Sequence, residues 1–226
     1  DGSLVDLAAL TGATLRSAPD VNNHAQIVVN GVDRAHLLTL HPDWVGGSGS
    51  WNEGAQHWNW AGTGTAAIAV GSMHDVVIAP AQDVTVTGTA SGFAHSLRVG
   101  GTVGAVATLD LAGGSTSTET WEFASGGVLR GSGQLQGRGS VASGGRISAG
   151  PDDVLQLGTV AAQAGMVEVR GAAGARSSFS VIAGTRNLAG GSMQFEHAEV
   201  TLAGGTVNEG LMVLGVTRYY DHGYLP

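Results

Sequence analysis

The sequence predicts an all-β chain wound as a parallel β-helix, and three observations predict it. Leu129, Leu135, Val141 and Ile147 recur every six residues within 126–150, with Gly, Ser, Gln and Arg between them. A five-residue unit occurs three times, as Leu111-Ala112-Gly113-Gly114-Ser115, Leu188-Ala189-Gly190-Gly191-Ser192 and Leu202-Ala203-Gly204-Gly205-Thr206. Glycine accounts for 38 of 226 residues, more than twice its ordinary share of about 7 %. A helix needs apolar residues three and four apart, and interior glycines cost it about 1 kcal/mol each. Short strands need the pattern seen here: one inward apolar residue per strand, then glycine where the backbone turns with positive φ. Repetition at a short fixed period marks a solenoid, in which each coil covers the apolar side of its neighbour. The opposing reading, a flexible Gly/Ser linker, gives large aliphatic residues no reason to be evenly spaced.

Composition supports folding. Charged residues are 12 % and aromatics 5 %, but apolar residues reach 42 %, enough to fill a core. The net charge is −8, there is no lysine, and no basic run exists, which argues against a nucleic-acid partner. Without cysteine there are no disulfides, thiolate metal sites or thiol nucleophile. No apolar run approaches the ~20 residues that span a bilayer. The chain starts at Asp1 without a signal peptide, which reads as a mature or trimmed product.

In chain order, residues 1–43 hold few glycines, and Pro19-Asp20 and Asn22-Asn23 read as turns. Gln26-Ile27-Val28-Val29 is a strand, Asn30-Gly31 a hairpin signal, and Ala35–Leu40 the second strand. The string Val21-Asn22-Asn23-His24-Ala25-Gln26-Ile27-Val28, followed by His36-Leu37-Leu38-Thr39, is similar to the extracellular HAF repeats, which look like pieces of secreted β-propellers. It departs from them at Val29, where those repeats have glycine, and in lacking Phe after His36-Leu37. One repeat cannot build a propeller, so the segment reads as an arm, a cap, or the last repeat of an upstream region.

Residues 44–62 hold four of the five tryptophans, Trp44, Trp51, Trp58 and Trp60. Gly49-Ser50-Trp51-Asn52 with Trp58 resembles the Gly-Ser-Trp-Asn motif that opens exported bacterial repeat proteins of the PEP-CTERM and autotransporter-associated type. In those proteins a β-helix follows. The same order is found here, through Asp75–Ile78, Asp83–Val86, Ser96-Leu97-Arg98-Val99-Gly100-Gly101 and Ala107–Leu111. The resemblance covers about 100 residues and implies an extracellular or cell-surface, bacterial protein. Strands continue at Val154–Leu157, Met166–Val169, Phe179–Ile182, Ser192–Phe195, Glu199–Leu202 and Leu211–Leu214. A tail, 216–226, holds all three tyrosines. The organisation expected is therefore a hairpin arm (1–43), a β-helix (44–215) with a Trp-rich cap at 44–62, and the tail.

Each candidate site has a competing structural role. The tryptophans could stack on sugar rings, but a solenoid must also cover its open end, and large aromatics do that. His41 with Asp43, His74 with Asp75, Asp221 with His222, and Asp152-Asp153 lack the spacing of zinc or calcium sites, so no metal or cofactor is expected. A polysaccharide-cleaving face would draw on Asp110, Glu122, Arg130, Arg138 and Arg146, three of them arginines eight residues apart. No nucleophile triad, phosphate loop or paired-carboxylate motif accompanies them, so an enzyme is not expected. Thr85, Thr87, Thr89, Thr116 and Thr118 are too few for an ice- or crystal-binding array.

The favoured expectation is a secreted or cell-surface structural protein that assembles into homo-oligomers or filaments through its terminal segments. Its contacts are expected at Ile27, Val29, Leu38, Leu40, Tyr219, Tyr220 and Tyr224. The rivals are a carbohydrate-binding or polysaccharide-cleaving surface module and an adhesin passenger fragment.

Overall fold

The structure is a computed structural model that describes residues 7–8, 14–21, 26–39, 41–61, 70–88, 91–215 and 217–221. The chain is all-β, and its parallel sheets form a β-solenoid of about seven turns.

Strand pairing defines three walls, visited in the same order in each full turn. The first wall stacks Ser91–Phe93, the starts of the long strands Ser115–Phe123, Gly133–Val141 and Val154–Gln163, then Ser177–Val181, Ala198–Leu202 and Arg218–Asp221. The second wall stacks Asp75–Ile78, Ser96–Val99, the ends of the same three long strands, Thr185–Asn187 and Thr206–Asn208. Register irregularities between Ser117 and Thr120, and between Leu135 and Arg138, bend the long strands from one wall to the next. The third wall stacks Gly49–Ser50, Val84–Thr87, Ala107–Asp110, Gly127–Arg130, Arg146–Ala149, Met166–Arg170, Ser192–Glu196 and Leu211–Leu214.

The six-residue spacing is thus one third of a turn. Leu129 and Ile147 are register partners on the third wall, while Leu135 and Val141 lie between them on the first and second. All four are buried to within 1 %. Inward residues form continuous columns. On the third wall one column runs Val86, Leu109, Leu129, Ile147, Val167 and Met193, each fully buried. The repeated Leu-Ala-Gly-Gly unit is the corner that joins one wall to the next. Its first glycine turns with φ of +84°, +92° and +79° at Gly113, Gly190 and Gly204, a region that side chains avoid.

One inward column changes chemistry. Ile78, Val99, Phe123 and Val141 are followed in register by Gln163, Asn187 and Asn208. Gln163 and Asn187 are fully buried. The Gln163 amide donates to the carbonyls of Gly165 (2.8 Å) and Ser192 (3.1 Å), and the Asn187 amide to Asn208 Oδ1 (2.7 Å) and the Leu211 carbonyl (3.2 Å). Side-chain amides here tie consecutive turns together where the other columns use packing.

The structure differs from the sequence expectation at both termini. The expected hairpin, Gln26–Gly31 with Ala35–Thr39, is present, and Leu15–Val21 joins it as a third antiparallel strand. Pro19-Asp20, read as a turn, lies within that added strand. That strand is an edge, where a residue without an N–H is tolerated, and its register slips between Ser17 and Asp20. The tail is not wholly separate either: Arg218–Asp221 is a rung of the first wall, parallel to Ala198–Leu202.

Trp121 shows how tightly the interior is matched. It lies in a column between Leu97 and Gly139, and a Cβ added at Gly139 would coincide with its ring and meet its carbonyl. Gly139→Ala is expected to lower stability by about 1–3 kcal/mol or more through overpacking. Gly47→Ala, where a Cβ meets nothing within 4 Å, should change it by less than about 0.5 kcal/mol. Urea unfolding midpoints of the two variants check this.

Candidate functional site: the two ends of the solenoid

The N-terminal end is plugged. Ser50 starts a 3-10 turn, Trp51–Gln56, with a capping box in which the Glu53 carboxylate accepts the Ser50 N–H at 2.7 Å. The turn drops Trp51 into the mouth of the first rung, where its ring lies 3.4 Å from the Cβ position that Gly92 leaves empty. Pro42–Trp44 and Trp58–Trp60 pair antiparallel and close the second wall. Trp58 packs edge-on against Trp44 (4.9 Å, 90°) and Trp51 (5.1 Å, 70°). The Trp58 indole donates to the Trp51 carbonyl and the Trp44 indole to the Gly47 carbonyl, each at 3.0 Å. Trp44, Trp51 and Trp58 are buried, at 2 %, 4 % and 1 % exposure, and Trp60 is half-buried beside His74. None of the buried three offers a flat face to a sugar.

Histidines ring this plug. His57 lies flat on Trp44, with ring centroids 4.7 Å apart. His41 bonds Asp43 at 2.8 Å, and that bond raises its pKa above the usual value. Burial lowers the pKa of His74, outweighing the Gly71 backbone contact and the nearby Asp75 carboxylate, which raise it.

The C-terminal end is different. Among the described residues no strand pairs with the far edges of Thr206–Asn208, Leu211–Leu214 or Arg218–Asp221. Leu214 continues the buried inward column of Val169 and Phe195 but is 45 % exposed. Asn208 ends the amide column, and its own amide nitrogen has no partner among the described residues. The outward positions change as well. Where the preceding strand of the third wall sets Ser192 and Gln194, the last sets Leu211 and Val213, 56 % and 45 % exposed. Leu211-Met212-Val213-Leu214 is apolar on both faces, a pattern that belongs to strands covered on both sides.

The other candidates are not brought together. Arg130 pairs with Asp110 at 2.9 Å and Arg146 with Glu168, both on the third wall. Arg138 stands on the second, in a shallow groove of about 560 Å³ with Arg98 and Glu122. Asp153 is held by Ser132 and the Gly150 N–H, so it fastens a corner. Among the described residues no group of three or more His, Asp or Glu could hold a metal. Thr116 and Thr118 point inward and are buried.

Of the expected assembly residues, Val29 is buried and Ile27 and Leu38, which are cross-strand partners, are half-buried. The exposed apolar residues of that sheet are Val28 (38 %) and Leu37 (61 %), cross-strand partners on its other face. Tyr219 and Tyr220 lie on the last rung of the first wall, in register with Val200 and Thr201. Leu40 and Tyr224 lie outside the described residues. Alternation in the sequence showed that the sheet has two faces, but not which one would be covered.

Among the described residues no helix is long and apolar enough to cross a membrane. Comparison with protein-family models, curated proteins and solved structures returns no match.

Two predictions follow from the plug. Trp58→Ala should cost about 3–5 kcal/mol, because it empties a closed aromatic site, and a thermal melt followed by circular dichroism checks this. In an NMR titration His41 should titrate above about 6.5 and His74 below it. A raised pKa gives stability that is full below about 6.5 and fades as pH rises through the folded value. A lowered one gives stability that is full above about 6.5 and fades as pH falls. Asp43→Asn should bring the His41 midpoint down.

Proposed function

We propose that this chain is a structural subunit that self-assembles through its ends, working outside a bacterial cell or on its surface. The observation that supports it is the inequality of the two ends. One is plugged by three buried tryptophans, and the other presents a strand that is apolar on both faces. Exposed parallel edges seek further strands unless they are covered. A neighbour that donates backbone hydrogen bonds and apolar cover satisfies edge and side chains together. The extracellular setting rests on the resemblance of the Gly49–Trp58 motif and the strand run after it to exported repeat proteins, and it agrees with a cysteine-free composition.

The polysaccharide-binding reading finds less support. Its aromatic platform is taken up by the plug, and its arginines and carboxylates are largely paired with each other on two different walls.

Light scattering across a concentration series, with negative-stain electron microscopy, tests the proposal. Regular oligomers or filaments whose mass rises in steps of 22.6 kDa are the expected result. A compact monomer at every concentration would overturn it.

A further inference from the structure

We infer that the contact is head-to-tail, with the Val28–Leu37 face of one copy's N-terminal sheet covering the Leu211–Val213 face of the next copy's last strand. This rests on the assembly reading above and names its partner surface.

The two faces are alike in kind. Val28 and Leu37 stand directly opposite one another across two antiparallel strands, and both are exposed. Leu211 and Val213 stand two apart on one face of one strand, and both are exposed, with Leu214 at the open rim beside them. Other exposed apolar residues are placed differently: Val32, Met73, Val103 and Ile182 lie in turns or bends, Val106 just before a strand, and Phe93, Val154 and Val207 on three different strands. Exposed apolar residues that stand singly need no cover, whereas adjoining ones mark an interface.

The two faces cannot meet within one chain. Four residues separate Leu37 from Pro42, the first residue of the plug, so the connection spans at most about 18 Å. The third wall stacks eight strands from Gly49–Ser50 to Leu211–Leu214. Seven intervals of about 4.8 Å put its ends about 34 Å apart. The sheet is tethered at the plugged end and its match lies at the other, so the match is made by a second copy. The two surfaces differ, so each copy keeps one of each free after the first contact, and growth continues unless the ring closes.

Two complementary variants test this. Leu37→Asp disables the sheet face and leaves the last strand intact, whereas Leu211→Asp with Val213→Asp does the reverse. Every position is exposed, and circular dichroism matching the unaltered chain confirms folding. If an aspartate variant fails to fold, Leu37→Ser and Leu211→Ser with Val213→Ser replace it. Each variant alone should be a monomer, and an equimolar mixture should give a particle of twice 22.6 kDa and no larger. If the unaltered chain assembles but Leu37→Asp assembles equally well, or the mixture stays monomeric, this pairing is overturned while the assembly reading stands. If the unaltered chain is monomeric throughout, both fall.

Discussion

A parallel rung cannot satisfy itself. Its inward side chain needs another above and below, and both backbone edges need a neighbour. Every other feature of this molecule answers that constraint. In the middle the answer is repetition, as columns such as Val86 to Met193 repeat an aliphatic residue at each turn. At the N-terminal end it is a plug of aromatic rings, in which the Trp44 and Trp58 indoles donate to carbonyls of the same loop. At the C-terminal end no strand among the described residues meets the constraint.

Corners and charges are arranged around the same need. Glycine appears where the chain turns sharply or a neighbouring ring passes close, as at Gly113 and Gly139. Most ion pairs of the solenoid run between successive rungs on the outer faces of the second and third walls, as Arg98 with Glu122 and Arg130 with Asp110 do, while Arg170 with Glu168 lies along one strand. They are exposed and individually weak. Their main effect is on register, since a slip of one residue would place like groups together or turn a charge inward.

Much of the fold was legible in the sequence, because the constraint is itself periodic. Leu129, Leu135, Val141 and Ile147 could be read as inward, and the Leu-Ala-Gly-Gly units as corners, without any coordinates. What could not be read depends on residues far apart in sequence. Gln163 and Asn187 look like surface amides until register places them under Val141 and inside the solenoid. Thr116 and Thr118 look like an outward ladder, and counting back by twos from Trp121 and Phe123 would keep them outside; the register shift between Ser117 and Thr120 reverses the alternation and turns them inward. Ile27, Val29 and Leu38 were the obvious apolar residues of the first sheet, but Val28 and Leu37 are apolar too. Only the packed structure shows which set is left uncovered.

The tryptophans have a consequence for how the molecule would be seen to come apart. Four lie in the plug, and the fifth, Trp121, lies on the strand Ser115–Phe123. No indole is present in the last four rungs of the third wall. In a solenoid, where each turn is held by its neighbours, loss of structure can travel from one end. Fraying that begins at the C-terminal rungs would leave indole fluorescence unchanged while the backbone signal fell. Unravelling that begins at the plug would move fluorescence first. The chain carries its own optical label at one pole, and two simultaneous melts of one sample would report the direction of unzipping.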